Sequence, residues 1–353
     1  MDINEVISKF DVEATVAPYG EGHINDTYYT NAPGYILQRI NNSIFPDVAG
    51  LMNNIEYVTE FLKEKIQKEG GNTERETLKI IRTRDGKNHL KTSDGKYFRM
   101  YKFIEDTVTY QTIEKKEQFY SCAKAFGKFQ KQLSDFDVSK LVEITPDFHN
   151  TPKRLEALKK AISDDVCGRK KDVEKEIEFA LSMEKYADVI TSLLGTKEVP
   201  LRVTHNDTKL NNVLFDNKTD EAICVIDLDT VMPGSLLYDF GDAIRFGAAT
   251  AKEDETDLSK MHFDISLFEA YAKGFLEELG ESITEKEKEL LPISALLLTY
   301  ECGIRFLTDY LQGDTYFKIK REHHNLDRCR TQFKLVYEME NALDDMAKII
   351  EKL

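Results

Sequence analysis

No run of 18 consecutive apolar residues occurs in this 353-residue chain, so the sequence predicts no transmembrane helix and no membrane partner. The N-terminal stretch MDINEVISKFDVEATV lacks the apolar core and small-residue cleavage site of a secretory signal, and it carries acidic residues early. Motifs of the CxxC type and clusters of Cys with His are also absent, and the five cysteines are odd in number and widely spaced. These absences argue against a zinc site or a disulfide framework, and we expect a protein of the reducing cytoplasm.

Basic residues are the minority among the charged side chains. The chain has 48 Lys and Arg against 63 Asp and Glu, which gives a formal net charge of −15. Nucleic-acid backbones are bound by clustered Lys and Arg, so the sequence predicts no nucleic-acid partner. A small phosphate-bearing molecule is compatible with this charge, because a few local cations or a Mg²⁺ ion are enough to hold it.

Two patterns of apolar residues divide the chain. In the first part, short apolar segments alternate with turn signals, and the Asp-Gly pairs at 85–86 and 94–95 predict two consecutive hairpins beside one helix over residues 53–68. Later, helical spacing dominates except over residues 200–247, which are predicted to form loop, hairpin and loop. The predicted helices span residues 115–134, 152–163, 172–195, 266–279, 284–312 and 325–352. The sequence therefore predicts an α+β fold, with a small antiparallel β-rich lobe (residues 1–106) before a large, mainly helical lobe (residues 107–353).

The segment VTHNDTKLNNVLF, residues 203–215, interrupts two strand-like pieces with six polar or charged residues. One interpretation is a solvated turn, since Asn and Asp are common turn residues. The other is a catalytic loop, because kinases place an Asp two residues after a His, an Asn five residues later and a second Asp across a hairpin. His205, Asp207, Asn212 and Asp227 satisfy this spacing, and the β-then-α order of the lobes agrees with it. We therefore favour the catalytic loop.

Phosphoryl transfer from ATP would give each of these side chains a role. Asp207 is placed to align the acceptor hydroxyl and take its proton. Asn212 and Asp227 offer the oxygen atoms with which Mg²⁺ is coordinated. Asp229 is expected to add a metal ligand or contact the substrate, and His205 is expected to hold the loop rather than transfer protons.

Together with VIDLDTVMPGSLLYDFGDAIRFG, the same segment resembles the aminoglycoside phosphotransferase and choline kinase family of small-molecule kinases. The stretches APYGEGHINDTYY, YILQRINNSIFPD, YKFIEDTVTY and LLTYECGIRFLTDYLQGDTYF extend the likeness over nearly the whole chain, and they resemble the bacterial N-acetylhexosamine 1-kinases of that family. The resemblance implies a protein-kinase-like two-lobe fold that uses ATP and Mg²⁺. It also implies phosphorylation of the anomeric hydroxyl of N-acetylglucosamine or N-acetylgalactosamine.

The resemblance further implies a set of nucleotide contacts. A glycine-containing loop would cover the phosphates, and a hinge at residues 102–105 would present backbone groups to adenine. Gln38 stands at the strand position where many kinases carry a phosphate-binding Lys. Because Gln brings no charge, we expect Arg39, another cation or the metal ions to neutralise the phosphates. The predicted nucleotide contacts are Gly20, Gly22, Gln38, Phe103 and Glu105.

A neutral sugar requires hydrogen-bond partners for its hydroxyls and a donor for its acetyl carbonyl. Arg305 and Asp309 lie four residues apart on one face of a predicted helix, where an ordinary ion pair is one explanation. The surrounding helix is apolar, and a charge pair there is costly unless it is used, which favours a sugar contact. Asp239 and Asp242 are expected to fix the backbone after the metal-binding strand. The predicted substrate contacts are His23, Asp207, Asp229, Arg305, Asp309 and Tyr316.

Two alternatives to a sugar kinase are left open. The first is a kinase for another small hydroxyl compound, of the choline, aminoglycoside or homoserine type. Choline would require an aromatic cage, and the chain contains no Trp, whereas an aminoglycoside is compatible with the charge of −15. The second is a nucleotide-binding module without turnover, which the Gln at position 38 favours and the intact Asp207, Asn212 and Asp227 oppose.

Overall fold

An antiparallel sheet forms the N-terminal lobe in the computed structural model, which describes residues 2–10, 12, 14–19, 25–31 and 34–353. Its strands are β1 (Val16–Pro18), β2 (Asp26–Thr30), β3 (Tyr35–Ile40), β4 (Ile80–Ile81), β5 (Leu90–Lys91) and β6 (Tyr97–Lys102). They pair in the order β1-β2-β3-β6-β4, and β5 also pairs with β6. Helix α1 (Ile3–Ile7) covers the outer face, where Val6 and Ile7 join a core with Leu37, Phe98 and Met100. Because side chains alternate along a strand, the intervening residues of β3 and β6 face the second lobe.

Helix α2 (Val48–Lys68) begins earlier than predicted because the Asp47 side chain caps it, accepting a hydrogen bond from Gly50 N at 2.9 Å. The two Asp-Gly turns are present, with Gly86 at φ 82° and Gly95 at φ 78°, values that glycine adopts without strain. Only the second turn joins two strands that pair with each other, β5 and β6. Strand β4 pairs with β6 instead, so the prediction of two consecutive hairpins is wrong for the first turn.

Helices build the second lobe. They are α3 (Lys116–Gln132), α4 (Thr151–Asp164), α5 (Glu174–Ser182), α6 (Val189–Thr196), α7 (Leu236–Gly247), α8 (Ile265–Leu279), α9 (Glu285–Leu311) and α10 (His324–Lys352). The prediction of one helix over residues 172–195 is wrong, because a 3₁₀ turn at Glu184–Tyr186 separates α5 from α6. The spacing of apolar residues gave no sign of this break, since the buried residues keep a helical period across it: Val173, Ile177, Ala180, Met183, Ala187 and Ile190.

Two small sheets lie between the lobes and hold the motif-bearing segments. Strand β7 (Thr107–Val108) pairs with β9 (Val213–Asp216), which forms the predicted hairpin with β10 (Ala222–Val225). Strand β8 (Arg202–Thr204) pairs with β11 (Met232–Gly234). The catalytic-loop candidate therefore runs out of β8 and into β9, and the second Asp follows β10. The predicted α+β fold, with an antiparallel N-terminal lobe and a helical C-terminal lobe, is confirmed.

Helix α9 is long and apolar enough to cross a membrane by length and composition. However, 83% of its most apolar stretch is buried within the protein, where α9 packs against α4, α7 and α10. Thr284 and Glu287 cap its N-terminus reciprocally, and the internal Pro292 is buried. Helix α9 is thus the central core helix of the second lobe. The exposed end of the candidate active site, which is described in the next subsection, lies along this helix.

Candidate active site

Helix α7 fixes the backbone of the catalytic loop through two aspartates. The Asp239 carboxylate accepts hydrogen bonds from His205 N at 3.0 Å and from Asn206 N at 2.7 Å. The Asp242 carboxylate accepts one from Thr208 N at 3.1 Å. The predicted backbone-fixing role therefore applies to residues before β10, the strand that precedes the candidate metal ligand Asp227, rather than after it. These contacts shape a loop in which Asn206 has a left-handed φ of 65°.

Asp207 lies between an amide and an ammonium group. Asn212 Nδ2 donates to Asp207 Oδ2 at 3.0 Å, and Lys209 Nζ lies 2.5 Å from Asp207 Oδ1. Although burial opposes ionisation, Lys209 holds the pKa of Asp207 below its usual value. The Asp207 side chain remains 30% exposed, so its carboxylate is ionised and open to the cleft. Lys209 is a candidate that the sequence reasoning missed, although its place two residues after Asp207 would have been enough to find it.

His205 is fully buried and both of its ring nitrogens are occupied. Nδ1 accepts a hydrogen bond from Asp207 N at 3.3 Å, which assigns the proton to Nε2, and Nε2 lies 2.8 Å from Ile226 O. Phe126 and Phe129 meet the ring edge-on. His205 therefore links the catalytic loop to the segment before Asp227, as expected for a residue that holds the loop.

Asn212 and Asp227 are adjacent across the hairpin, because Ile226 N donates to Asn212 O at 2.9 Å. The Asn212 amide nitrogen is used by Asp207, which leaves its amide oxygen for a ligand. Asp227 is exposed to the cleft in a left-handed conformation, with φ 60° and ψ 58°. The surrounding protein and the charges of Asp229 and Asp207 raise the pKa of Asp227 to about 7. Two oxygen ligands fit Mg²⁺, which keeps several waters and binds substrate phosphates besides one or two protein groups.

Asp229 faces the N-terminal lobe. One of its oxygens accepts from the guanidinium of Arg99, and Asn25 Nδ2 donates to the other at 2.6 Å. Asp229 is 5% exposed, and both of its oxygens are engaged. In this conformation Asp229 is not available as a metal ligand or substrate contact, which corrects that prediction.

Arg99, which the sequence pattern did not reveal, places a positive charge beside Gln38, the residue that stands where many kinases carry a Lys. The two residues are directly paired between β3 and β6, and Arg99 Nε donates to Gln38 Oε1 at 2.9 Å. Gln38 Nε2 in turn donates to Thr27 Oγ1 at 3.1 Å. Arg39 points to the other face of the sheet, where it is exposed and paired with Asp26. Arg99 therefore places a buried positive charge beside Gln38, close enough to Asp227 for each to shift the pKa of the other.

Phe103 contributes a ring rather than a backbone donor to the hinge. Its N–H donates to Gly34 O at 3.0 Å, and the Lys102 N–H donates to Lys79 O, so neither is free for adenine, which corrects the prediction for these two groups. The Phe103 ring packs 4.9 Å from Tyr29 and 6.0 Å from Tyr19 between centroids. Glu105 is exposed at the end of the hinge. Gly20 and Gly22 lie outside the described residues.

Asp309 holds a turn instead of facing the cleft. Its carboxylate accepts hydrogen bonds from the backbone N–H groups of Thr315, Tyr316 and Phe317, and from the side chain of Asn325. Asp309 is 2% exposed, so these four donors leave no room for a sugar hydroxyl. The predicted sugar contact and the Arg305–Asp309 pair are therefore wrong, because the loop after α9 folds back onto Asp309.

Arg305 and Tyr316 remain on the exposed side of this turn. The Arg305 guanidinium lies 5.5 Å from the Phe317 ring centroid and makes no hydrogen bond to another described residue. Tyr316 is 71% exposed. Burial and the charge of Arg305 lower the pKa of Arg154, so a second guanidinium adjoins the first. His23 lies outside the described residues.

Known phosphotransferases share this fold and sequence pattern. A model of the phosphotransferase enzyme family, APH, matches residues 15–279. An aminoglycoside phosphotransferase from Alicyclobacillus acidocaldarius is 12% identical, with a TM-score of 0.63 over 100% of this chain and 97% of that chain. A choline kinase from Cryptosporidium parvum is 14% identical, with a TM-score of 0.61 over 97% of this chain and 96% of that chain. An amicoumacin kinase in complex with AMP-PNP and Ca²⁺ is 12% identical, with a TM-score of 0.60 over 96% and 92%. Identities this low show a common fold, here the protein-kinase-like one, while the family match covers well over half of the sequence. The chain therefore belongs to the phosphotransferase enzyme family.

Proposed function

We propose that this protein transfers the γ-phosphoryl group of ATP to the anomeric hydroxyl of N-acetylglucosamine or N-acetylgalactosamine, forming the sugar 1-phosphate. The observation that carries the proposal is the setting of Asp207, an ionised carboxylate held between Lys209 and Asn212 beside Asp227. ATP as co-substrate is supported by the AMP-PNP complex of the amicoumacin kinase. The choice of an N-acetylhexosamine rests on the sequence resemblance. Residues 1–106 would form the nucleotide-binding lobe and residues 107–353 would carry the catalytic loop and the sugar site, and we expect this protein to act in the cytoplasm.

Asp207 is proposed as the catalytic base. Its carboxylate orients the anomeric O–H and receives the proton as the sugar oxygen bonds to the γ-phosphorus and the bond to the β-phosphate oxygen breaks, releasing ADP. A carboxylate with a lowered pKa is a weak base, so its main contribution is alignment of the hydroxyl. His205 has both ring nitrogens occupied and takes no proton in this scheme.

Asn212 and Asp227 are proposed to hold Mg²⁺, through the free amide oxygen of the first and the carboxylate of the second. When bound, the metal neutralises charge that develops on the phosphate oxygens. Lys209 and Arg99 would add positive charge from the catalytic loop and from β6. Arg99 thereby replaces the Lys that many kinases carry at the position of Gln38, which retains a supporting hydrogen bond to it.

Nucleotide and sugar would approach this centre from opposite sides. The rings of Tyr19, Tyr29 and Phe103 offer an aromatic surface for adenine at the hinge, with Gly20, Gly22 and Glu105 as further proposed contacts. On the acceptor side, the unpaired donors of Arg305 suit sugar hydroxyls and the acetyl carbonyl. His23, Tyr316 and Arg154 are the remaining proposed contacts there.

Product formation from ATP, Mg²⁺ and each N-acetylhexosamine, followed by phosphorus NMR, tests the proposal. A sugar 1-phosphate resonance that requires Mg²⁺ and is absent with the Asp207→Asn variant is the expected result. Turnover with another alcohol but with neither sugar would overturn the substrate while retaining the role of Asp207. Nucleotide binding without phosphorylation of any acceptor would overturn the proposed activity in favour of a binding module.

A further inference from the structure

In addition to the cleft between the lobes, a pocket of about 160 Å³ lies behind the catalytic loop. Strand β11, helix α6 and the segment before α4 form its walls, and Asn206 and Tyr238 contribute to them. The Asn206 side chain donates to Thr230 O at 2.8 Å. Asp207, Asp227 and Arg305 do not line this pocket. The pocket is therefore distinct from the proposed phosphoryl-transfer site.

His149 brings a buried nitrogen without a partner to this pocket. Its side chain is 6% exposed, and Nδ1 lies 2.8 Å from Glu301 Oε1, while Thr151 Oγ1 donates to the other oxygen at 2.7 Å. Although burial opposes ionisation, His149 and Arg305 hold the pKa of Glu301 below its usual value, so Glu301 is a carboxylate and Nδ1 carries the proton. Nε2 is buried and has no hydrogen-bond partner among the described residues.

The partner of Nδ1 indicates which edge of the His149 ring lies on the pocket side. His149 lines the pocket but Glu301 does not, so the edge of the ring that carries Nδ1 is turned away from it. Phe148 and Tyr238 flank the imidazole, with ring centroids 4.7 Å and 5.0 Å from it, and both also line the pocket. A buried polar atom left without a partner costs about 1–3 kcal/mol, which a ligand in this pocket would recover.

We propose that this pocket binds a small, neutral hydroxyl compound the size of a single sugar ring. A hydroxyl can donate to Nε2 of neutral imidazole and accept from the imidazolium form, so it satisfies His149 in either state. The Tyr238 hydroxyl makes no hydrogen bond to another described residue, and the Phe148 ring offers an apolar face. The pocket is smaller than the roughly 300–1,000 Å³ of sites for drug-sized ligands.

Charge at the mouth of the pocket excludes other ligand classes. Glu143 and Asp147 lie there, and their carboxylates disfavour a phosphate or a carboxylic acid. Asp147 is already paired with Lys153 Nζ at 2.6 Å, so a small amine would have to displace an existing cation. Hydroxyl groups can hydrogen-bond to both carboxylates without disturbing that pair. The proposal for this pocket does not depend on the identity of the acceptor, because the side chains that line the pocket differ from those of the proposed acceptor site.

The absence of Trp from the chain gives a direct binding assay. Leu201 lines the pocket and is 56% exposed, so Leu201→Trp places the only indole at its rim without disturbing the core. Tyr57→Trp, on an exposed position of α2, is the matched control. Titration with N-acetylglucosamine and with glucose, without nucleotide, is expected to change the Leu201→Trp fluorescence saturably and to leave the Tyr57→Trp fluorescence unchanged.

Two further variants in the Leu201→Trp background identify the site. His149→Asn retains an amide donor for Glu301 but has no atom at Nε2, and it should weaken sugar binding about tenfold or more while the melting temperature stays near that of the parent. Arg305→Ala should keep the fluorescence response while raising the KM for the acceptor. Any of four results would overturn the proposal. The fluorescence of Leu201→Trp could fail to respond, or His149→Asn could bind the sugar with unchanged affinity. The response could also be lost with Arg305→Ala, or ethanolamine could saturate the site while neither sugar does. An absent response would mean that the pocket holds water only.

Discussion

Arg99 and Asp229 form a buried ion pair that joins the two lobes. Arg99 projects from β6 of the N-terminal lobe and Asp229 from the segment after β10, and their side chains are 1% and 6% exposed. Asn25 donates to the second Asp229 oxygen, so both oxygens of the carboxylate are hydrogen-bonded to residues of the N-terminal lobe. The cation that lies beside Gln38 is thus positioned by Asp229, two residues after the proposed metal ligand Asp227.

Replacement of Arg99 by Ala is expected to impair both stability and nucleotide use. Asp229 would be left buried without a counter-ion, which costs about 3–5 kcal/mol in the free energy of unfolding. The KM for ATP should rise about tenfold or more, because the buried positive charge beside Gln38 and close to Asp227 is lost. Urea denaturation and steady-state kinetics measure the two effects.

Arg39→Ala is the matched control for that variant, since Arg39 neighbours Gln38 on the same strand but forms an exposed ion pair. Its effect on the free energy of unfolding should stay within about 0.5 kcal/mol, and its KM for ATP should not change. If Arg99→Ala lowers stability but leaves the KM for ATP unaltered, Arg99 acts as a structural tie alone.

Asp207→Asn is expected to lower kcat by several orders of magnitude, because alignment of the acceptor hydroxyl and proton acceptance are lost together. The single amide oxygen can still accept from one of the two donors, Lys209 or Asn212, so the fold and the affinity for nucleotide should persist. Single-turnover kinetics and calorimetric titration with an ATP analogue measure the two quantities. Near-normal turnover would remove Asp207 from the mechanism.

Asp227→Asn should produce a stability change that depends on pH. The pKa of Asp227 is raised to about 7, against about 4 in an unfolded chain, so the folded protein holds a proton that the unfolded chain has released. The stability contributed by this group is full below about pH 4 and is lost as the pH rises through about 7. An Asn at position 227 does not titrate, so the variant does not lose this stability. The melting temperature of the variant should therefore exceed that of the parent, and the difference should be larger at pH 8 than at pH 5.

Thermal denaturation in EDTA measures this effect, since a bound metal would itself favour the ionised form of Asp227. Activity of the Asn variant should be strongly reduced at both pH values in the presence of Mg²⁺, because a charged carboxylate ligand is replaced by a neutral amide. A lower melting temperature than that of the parent at pH 8 would contradict the raised pKa.

Arg305→Ala is expected to raise the KM for the N-acetylhexosamine about tenfold or more and to leave the KM for ATP unchanged. Arg305 makes no hydrogen bond to another described residue, so its truncation should leave the fold intact. Arg330→Ala, which removes a partly exposed arginine of α10 that pairs with Glu176 of α5, is the control and should change neither constant. An equal rise in both KM values would assign Arg305 to structure.

Local spacing was enough to bring His205, Asp207 and Asn212 together as a candidate catalytic loop, because the three residues lie within eight positions. Arg99 could not be found in this way, since only the pairing of β3 with β6 brings it beside Gln38, 61 residues away in sequence. Asp309 was misread for a related reason. Helical geometry placed it beside Arg305, but the returning turn at residues 314–317 supplies closer donors.

Because α7 anchors the catalytic loop, the residues that hold the loop are different from those on the proposed acceptor side. Asp239 and Asp242 hold the loop from below, whereas Arg305 and Tyr316 lie on α9 and on the turn that follows it. Mutations that reshape the acceptor side therefore leave the backbone around Asp207 in place. Substitutions on α9 and on the turn after it can therefore change the proposed acceptor contacts while Asp239 and Asp242 keep their hydrogen bonds to the loop.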